Sequence, residues 1–282
     1  MPGTTPYARR MQLVTTSDGI GRLEGGDVVL LDVPAPDLSA LLWADGSLDA
    51  AVGAGERRRA PLEATTLRPA LPRPGKVWAI GLNYHSHAAE TGREAPATPM
   101  VFIKTTSSVV APRTSVVLPP EAPSAVDFEG EVAVVIGRRA SSVRAEDAWS
   151  HIVGITACND VTARDVQSGT GNFGLAKSFD TFTPIGASLT TLDEYPDPDD
   201  IGLETLVNGE VRQSARTTDL VHDVGAVVAY LSRFTTLEPG DVISTGTPAG
   251  VGVVSGTFLR PGDVVEIRVE GVAPLVNDVV AG

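Results

Sequence analysis

Three carboxylates occupy alternate positions in the segment Val126-Asp127-Phe128-Glu129-Gly130-Glu131-Val132-Ala133-Val134-Val135-Ile136. Alternate side chains of a strand share a face, so Asp127, Glu129 and Glu131 line up opposite Val126, Phe128, Val132, Val134 and Ile136. Like charges this close raise one another's pKa or require a cation, and a hard divalent ion with oxygen ligands meets that requirement. An acidic face turned to solvent is the plainer reading of the same pattern. A second run, from Ile152, stays apolar until Asn159 and Asp160 and leads into Val161-Thr162-Ala163-Arg164-Asp165-Val166-Gln167. A strand ending in Asp offers a carboxylate at the sheet edge, where loops assemble sites. Asn159 or Asp160 can equally cap a turn that holds Arg164 and Gln167 three residues apart. His85, His87, His151 and His222 form no cluster with zinc or copper spacing, which favours magnesium or calcium.

The elements that must carry these residues are short. With 29 glycines and 21 prolines in 282 residues, turns are frequent. Residues 12 to 33 read as short strands around Gly19, Gly21, Gly25 and Gly26, followed by a broken helical pattern from Leu38 to Val52 with Leu38, Leu41 and Leu42 on one side. Pro69, Pro72 and Pro74 then form a stiff linker. A boundary near residue 72 is expected, dividing a small αβ module (1–72) from a larger β-rich domain (73–282). Beyond it, strands are expected at 76–80, Val101–Lys104, Val126–Ile136, Ile152–Asp160, Glu204–Val207, Val242–Thr245 and Val264–Val269. Helices are expected at Ala145–His151, capped by Ser142, and at Asp219–Phe234, where Leu220, Val224, Val227, Val228 and Leu231 mark a buried stripe. The fold class is α+β, rich in β-structure.

Composition narrows the function. A formal net charge of −13 without an offsetting lysine or arginine cluster works against polyphosphate backbones, so nucleic acid is not expected as a partner. The single cysteine, Cys158, sits among Ile155, Thr156 and Ala157 and reads as a buried structural thiol in a reducing cytoplasm. Residues 1 to 22 include Arg9 and Arg10 but no signal-peptide core, and no apolar run is long enough to span a membrane. A cytoplasmic protein is the expectation.

Five ordered runs resemble the fumarylacetoacetate hydrolase superfamily: residues 79–90 (AIGLNYHSHAAE), 127–131 (DFEGE), 159–167 (NDVTARDVQ), 177–182 (KSFDTF) and 240–248 (GDVISTGTP). The resemblance implies a mixed β-roll catalytic domain, a homodimer, and a magnesium or manganese ion held by Glu129, Glu131 and Asp160. It leaves Asp127 as a supporting or surface carboxylate. By the same resemblance Lys177 is the active-site lysine, Arg164, Gln167 and Thr247 contact substrate, and His87 with Glu90 activates water. His87 and Glu90 stand three apart in an expected helix, which lets them bond on one face. Two departures concern the pocket: His85 stands where members often carry a small residue, and residues 168–173 (SGTGNF) replace a stretch that often carries Trp.

A small 2-oxo acid substrate follows. Its carboxylate and keto oxygens can chelate the metal, so that cleavage of a C–C bond yields a metal-bound enolate while Lys177 and Arg164 supply positive charge. Hydrolysis of a 2,4-dioxo acid, either an acylpyruvate or a diketo sugar acid, ranks first, with His87 deprotonating water on a segment expected to close as a lid. Decarboxylation of an oxaloacetate-like acid, or isomerisation of an unsaturated oxo acid, ranks second. A non-catalytic metal-binding member is the reading from a different class; it does not require Glu129, Glu131, Asp160, Lys177, His87 and Glu90 all together.

Overall fold

A computed structural model of the protein describes residues 11–122 and 124–282, so Arg9 and Arg10 lie outside the described residues. A ten-stranded sheet forms the backbone of the molecule. Its order from edge to edge is Glu56–Pro61, Asp27–Leu31, Gly19–Glu24, Gln12–Thr16, Ser188–Thr191, Ile152–Asn159, Gly130–Ile136, Val242–Ser244, Val77–Gly81 and Met100–Lys104. Neighbours are antiparallel except Val242–Ser244 with Val77–Gly81. A second, five-stranded sheet runs Glu210–Arg216, Gly202–Val207, Val264–Val269, Leu275–Ala281 and Val116–Leu118. The β-rich mixed architecture is the expected one.

The central strand Gly130–Ile136 is buried throughout because both of its faces are covered, and apart from Glu131 it is apolar. Val132, Val134 and Ile136 join a core with Leu203, Val265, Ile267 and Leu275 of the second sheet and with Val224, Val227, Val228 and Leu231 of the helix Val224–Phe234. Ala133 and Val135 point the other way, into a core shared with Leu13, Val29, Leu38, Leu41 and Leu42. The leading strands therefore extend the large sheet through the pairing of Gln12–Thr16 with Ser188–Thr191, and the helix Leu38–Asp45 packs on its second face. Asp37 caps that helix by accepting the Ala40 N–H at 2.8 Å.

Three elements differ from the sequence reading. The expected strand 126–136 is broken at Phe128 and Glu129: Val126–Asp127 pairs with Thr162–Ala163, whereas Gly130–Ile136 pairs with Ile152–Asn159. The long helix begins at Val224 instead of Asp219, because the Asp223 side chain accepts from the Ala226 N–H at 2.7 Å and fixes the start. Ala145–His151 is 3₁₀-helical and has no side-chain cap; the Ser142 N–H bonds to the Ser232 carbonyl instead. Both the expected helix at His85–Glu90 and the broken pair Leu38–Asp45 and Asp49–Val52 are present. Among the described residues, no helix is long and apolar enough to cross a membrane.

Candidate active site

The strand pairing decides which carboxylates meet. Gly130 lies opposite Asn159 across the ladder, and the Asp160 N–H bonds to the Glu129 carbonyl at 2.8 Å. A β-pair thus brings Glu129, Glu131 and Asp160 together, and a ligand oxygen from each lies within 4.8 Å of the others. All three are buried. Gly130 is needed between the two glutamates, since a Cβ there would stand 2.0 Å from Thr205 Oγ1 of the second sheet. Gly246 takes a φ of +112°, which presents its N–H to Glu131 Oε2 at 2.8 Å. Ser244 Oγ donates to the same oxygen at 2.6 Å. With one oxygen of Glu131 so engaged, the other remains available for the centre.

Cations enclose this cluster. Lys177 Nζ donates to Glu129 Oε2 and to Asp160 Oδ2, the latter at 2.6 Å. Arg164 Nε donates to Asp127 Oδ2 at 2.8 Å, and its Nη2 reaches Glu129 Oε1. Burial opposes ionisation of Glu129, but Lys177 and Arg164 outweigh it and hold the carboxyl well below its usual range. Glu131 shifts the opposite way: burial, together with the Asp160 and Glu129 charges, pushes it well up. Burial also works against the Lys177 ammonium, but Asp160 and Glu129 raise its pKa overall. Fully ionised, Asp127, Glu129, Glu131 and Asp160 exceed Lys104, Arg164 and Lys177 by one negative charge. A donor set of three buried carboxylates, one of them short of positive partners, fits a hard divalent cation.

A cavity of about 820 Å³ opens over the cluster. Glu129, Glu131, Lys177, Arg164, Gln167, Thr247, His87 and Glu90 line it, so eight of the nine site residues expected from sequence share one cavity. The ninth, Asp160, lies behind Lys177 and Lys104. His87 Nδ1 sits 2.6 Å from Glu90 Oε1, while Glu90 Oε2 accepts the Gly250 N–H at 2.9 Å. This pair is thus already formed. Gln167 Oε1 accepts from Arg164 Nη1 at 3.1 Å. Thr247 Oγ1 donates to the Gly130 carbonyl at 3.0 Å and accepts from Gln213 Nε2 at 2.7 Å, which ties it to the start of the strand bearing Glu131. His85 is exposed at the start of its helix, and Ser168, Gly171 and Phe173 of the divergent stretch line the cavity.

Residues 76–280 match the family model described as fumarylacetoacetate (FAA) hydrolase C-terminal. The chain belongs to this family. Among its relatives, mitochondrial oxaloacetate tautomerase FAHD2A of Bos taurus is 42% identical over 222 residues, covering 77% of this chain and 70% of the bovine protein. The 2-hydroxyhepta-2,4-diene-1,7-dioate isomerase of Mycobacterium marinum has the same fold, with a TM-score of 0.79, 36% identity and coverage of 97% of this chain and 99% of that one. Maleylpyruvate hydrolase of Sphingobium sp. SYK-6, solved with manganese(II) and pyruvate, aligns with a TM-score of 0.80, 30% identity and coverage of 96% and 100%. Family members thus include enzymes of small-molecule metabolism with hydrolase, isomerase and tautomerase names.

Two groups at this site were not among the sequence candidates. Lys104 is fully buried and bonds to Asp160, although its local pattern, Met100-Val101-Phe102-Ile103-Lys104, gives no more than a strand end. Arg93 lines the cavity and, among the described residues, its side chain has no carboxylate partner. Nothing in its local sequence, with Glu90 three residues before it and Glu94 beside it, marks Arg93 as a cavity residue.

Proposed function

We propose that this chain is a divalent-metal-dependent enzyme that moves a proton between carbon and oxygen beside the carbonyl of a small 2-oxo acid, foremost an oxaloacetate-like dicarboxylate. The observation that carries this reading is the preformed His87–Glu90 pair in the wall of the cavity that also holds Glu129, Glu131, Lys177 and Arg164. A Mg²⁺ or Mn²⁺ ion held by Glu129, Glu131 and Asp160 would supply Lewis acidity to the 2-oxo group. Neutral His87 takes a proton from the carbon next to the carbonyl, and Glu90 stabilises the resulting imidazolium. The electron pair of the broken C–H bond moves to the carbonyl oxygen, where Lys177 and Arg164 offer positive charge. Delivery of the proton to that oxygen gives the enol, and the reverse sequence restores the ketone. The tautomerase name of a 42% identical relative supports this order of readings.

Hydrolysis of a C–C bond in a 2,4-dioxo acid is the second reading, favoured by the maleylpyruvate hydrolase neighbour. In it Glu90 orients His87, His87 deprotonates water, hydroxide attacks the distal carbonyl, and the pyruvate fragment departs as its enolate. Decarboxylation of oxaloacetate uses the same enolate without water. Either reading takes the protein as a cytoplasmic homodimer, with residues 1–72 a leading domain and 73–282 the catalytic one. The homodimer rests on the family resemblance, the boundary on the proline-rich stretch Pro69 to Pro74, and the compartment on the single cysteine and the composition of residues 1 to 22.

The test is a panel of oxaloacetate, acylpyruvates and diketo sugar acids, assayed with Mg²⁺, with Mn²⁺ and with chelator, following enol absorbance and identifying products. Tautomerisation requires metal-dependent acceleration of keto–enol exchange in oxaloacetate with no carbon lost. Stoichiometric pyruvate and carboxylic acid from an acylpyruvate, without that acceleration, would overturn it in favour of hydrolysis.

A further inference from the structure

Lys104 ends the edge strand Met100–Lys104 and is wholly buried, yet its ammonium does not serve the sheet. Its Nζ donates to Asp160 Oδ1 at 2.5 Å and to the backbone carbonyl of Lys177. Asp160 Oδ2 is left facing Lys177 Nζ and the carboxylate cluster. One buried cation therefore touches both a cluster carboxylate and the main chain that carries the cluster's lysine. A buried ammonium is tolerated where it is paired, and a neutral side chain of the same length would fill the space without that requirement. The charge at position 104 thus calls for a role beyond packing.

We propose that Lys104 is a positioning residue: it occupies one oxygen of Asp160 so that only the other is offered to the metal, and it fixes the backbone from which Lys177 reaches into the cavity. The proposal rests on the metal-dependent reading above. Groups behind a ligand that set its orientation typically change metal affinity or activity by roughly 10–100-fold when removed. Here the two effects separate in direction. Loss of Lys104 takes a positive charge away from three carboxylates, so the ion is held at least as firmly, whereas turnover falls because Asp160 and Lys177 are no longer aimed.

The experiment compares the parent with Lys104→Met, which keeps the aliphatic stem, and Lys104→Gln, which keeps a neutral donor for the Lys177 carbonyl. Mn²⁺ binding is measured by the electron paramagnetic resonance signals of free and bound ion, alongside kcat and KM for the best 2-oxo acid of the panel. Expected are a Kd for Mn²⁺ that does not rise, an altered bound-Mn²⁺ line shape as Asp160 becomes free to offer both oxygens, and a kcat lower by roughly 10–100-fold. Gln should lie between Met and the parent. An unchanged line shape and kcat in a folded variant, or failure of both variants to fold, would overturn the role of Lys104. Absence of saturable Mn²⁺ binding to the parent would remove the metal reading itself, and the proposal with it.

Discussion

Arg164 binds Asp127 and Glu129 with one guanidinium, Nε lying 2.8 Å from Asp127 Oδ2 and Nη2 reaching Glu129 Oε1. Asp127 is completely buried, and it also accepts the N–H groups of Gly252 at 2.7 Å and Val253 at 2.9 Å. The third carboxylate of the acidic run is therefore an anchor for Arg164 and for the segment carrying Val253 and Val254 at the cavity wall. Asp127→Asn should lower folding stability by about 3 kcal/mol, the low end for breaking a buried ion pair, because Glu129 still holds Arg164. Chemical denaturation of the variant and parent checks the value.

Metal binding should stabilise the fold. An ion that binds only the folded chain adds about 2.7 kcal/mol when present at 100 times its Kd. Thermal unfolding should therefore shift upward with Mg²⁺ or Mn²⁺ and return with chelator. In Glu131→Gln a ligand is lost while volume is kept, so affinity should fall by more than the roughly 10–100-fold seen for groups behind a ligand. An equal metal-induced shift in that variant would exclude Glu131 as a ligand.

The His87–Glu90 pair should govern proton transfer at carbon. His87→Asn is expected to slow both solvent deuterium exchange beside the 2-oxo group and net turnover by roughly 10²–10⁴, the range for a positioned general base. Glu90→Gln should lose less, because Gln can still accept a hydrogen bond in place of the carboxylate. Loss of acylpyruvate hydrolysis with deuterium exchange intact would assign the pair to water activation and promote the hydrolytic reading.

Arg93 offers the cavity a cation unclaimed by any carboxylate among the described residues. Arg93→Gln should raise KM for a 2-oxo dicarboxylate by roughly fivefold, equivalent to the ~1 kcal/mol upper end for an exposed charge pair. Values of kcat should hold, as expected when an interaction is equal in ground and transition states. A monocarboxylic 2-oxo acid should show no such change in steady-state kinetics.

Cys158 faces the core shared with Leu13 and Val135, and burial pushes its thiol up to about 12 from an ordinary 9.0. The folded chain holds this proton more tightly than the unfolded one, so the associated stability is complete below pH 9.0 and declines as pH rises towards about 12. At pH near 8 an aromatic disulfide reagent should label no thiol in native protein and one per chain in denaturant. Native labelling would contradict the burial.

Local sequence by itself determined the periods. The two-residue spacing sets Glu129 and Glu131 on one side of the chain, and His87 with Glu90 fit one helical face, because backbone geometry alone fixes these relations. Strand-like patterning marked Val126–Ile136 and Val264–Val269 for the same reason, and of these Gly130–Ile136 and Val264–Val269 are continuous strands. Tertiary structure decided what those residues meet. The break at Phe128 gave Asp127 to a different partner strand and to Arg164, which simple alternation could not foresee. Gly130 opposite Asn159 is a matter of ladder register, and that register is set by two cores on opposite faces of the sheet. Lys104 lies 56 residues from Asp160 and reads as an ordinary strand end until the folded sheet buries it against that carboxylate. A charge shows its role only through the environment that desolvates it, and packing between distant segments creates that environment.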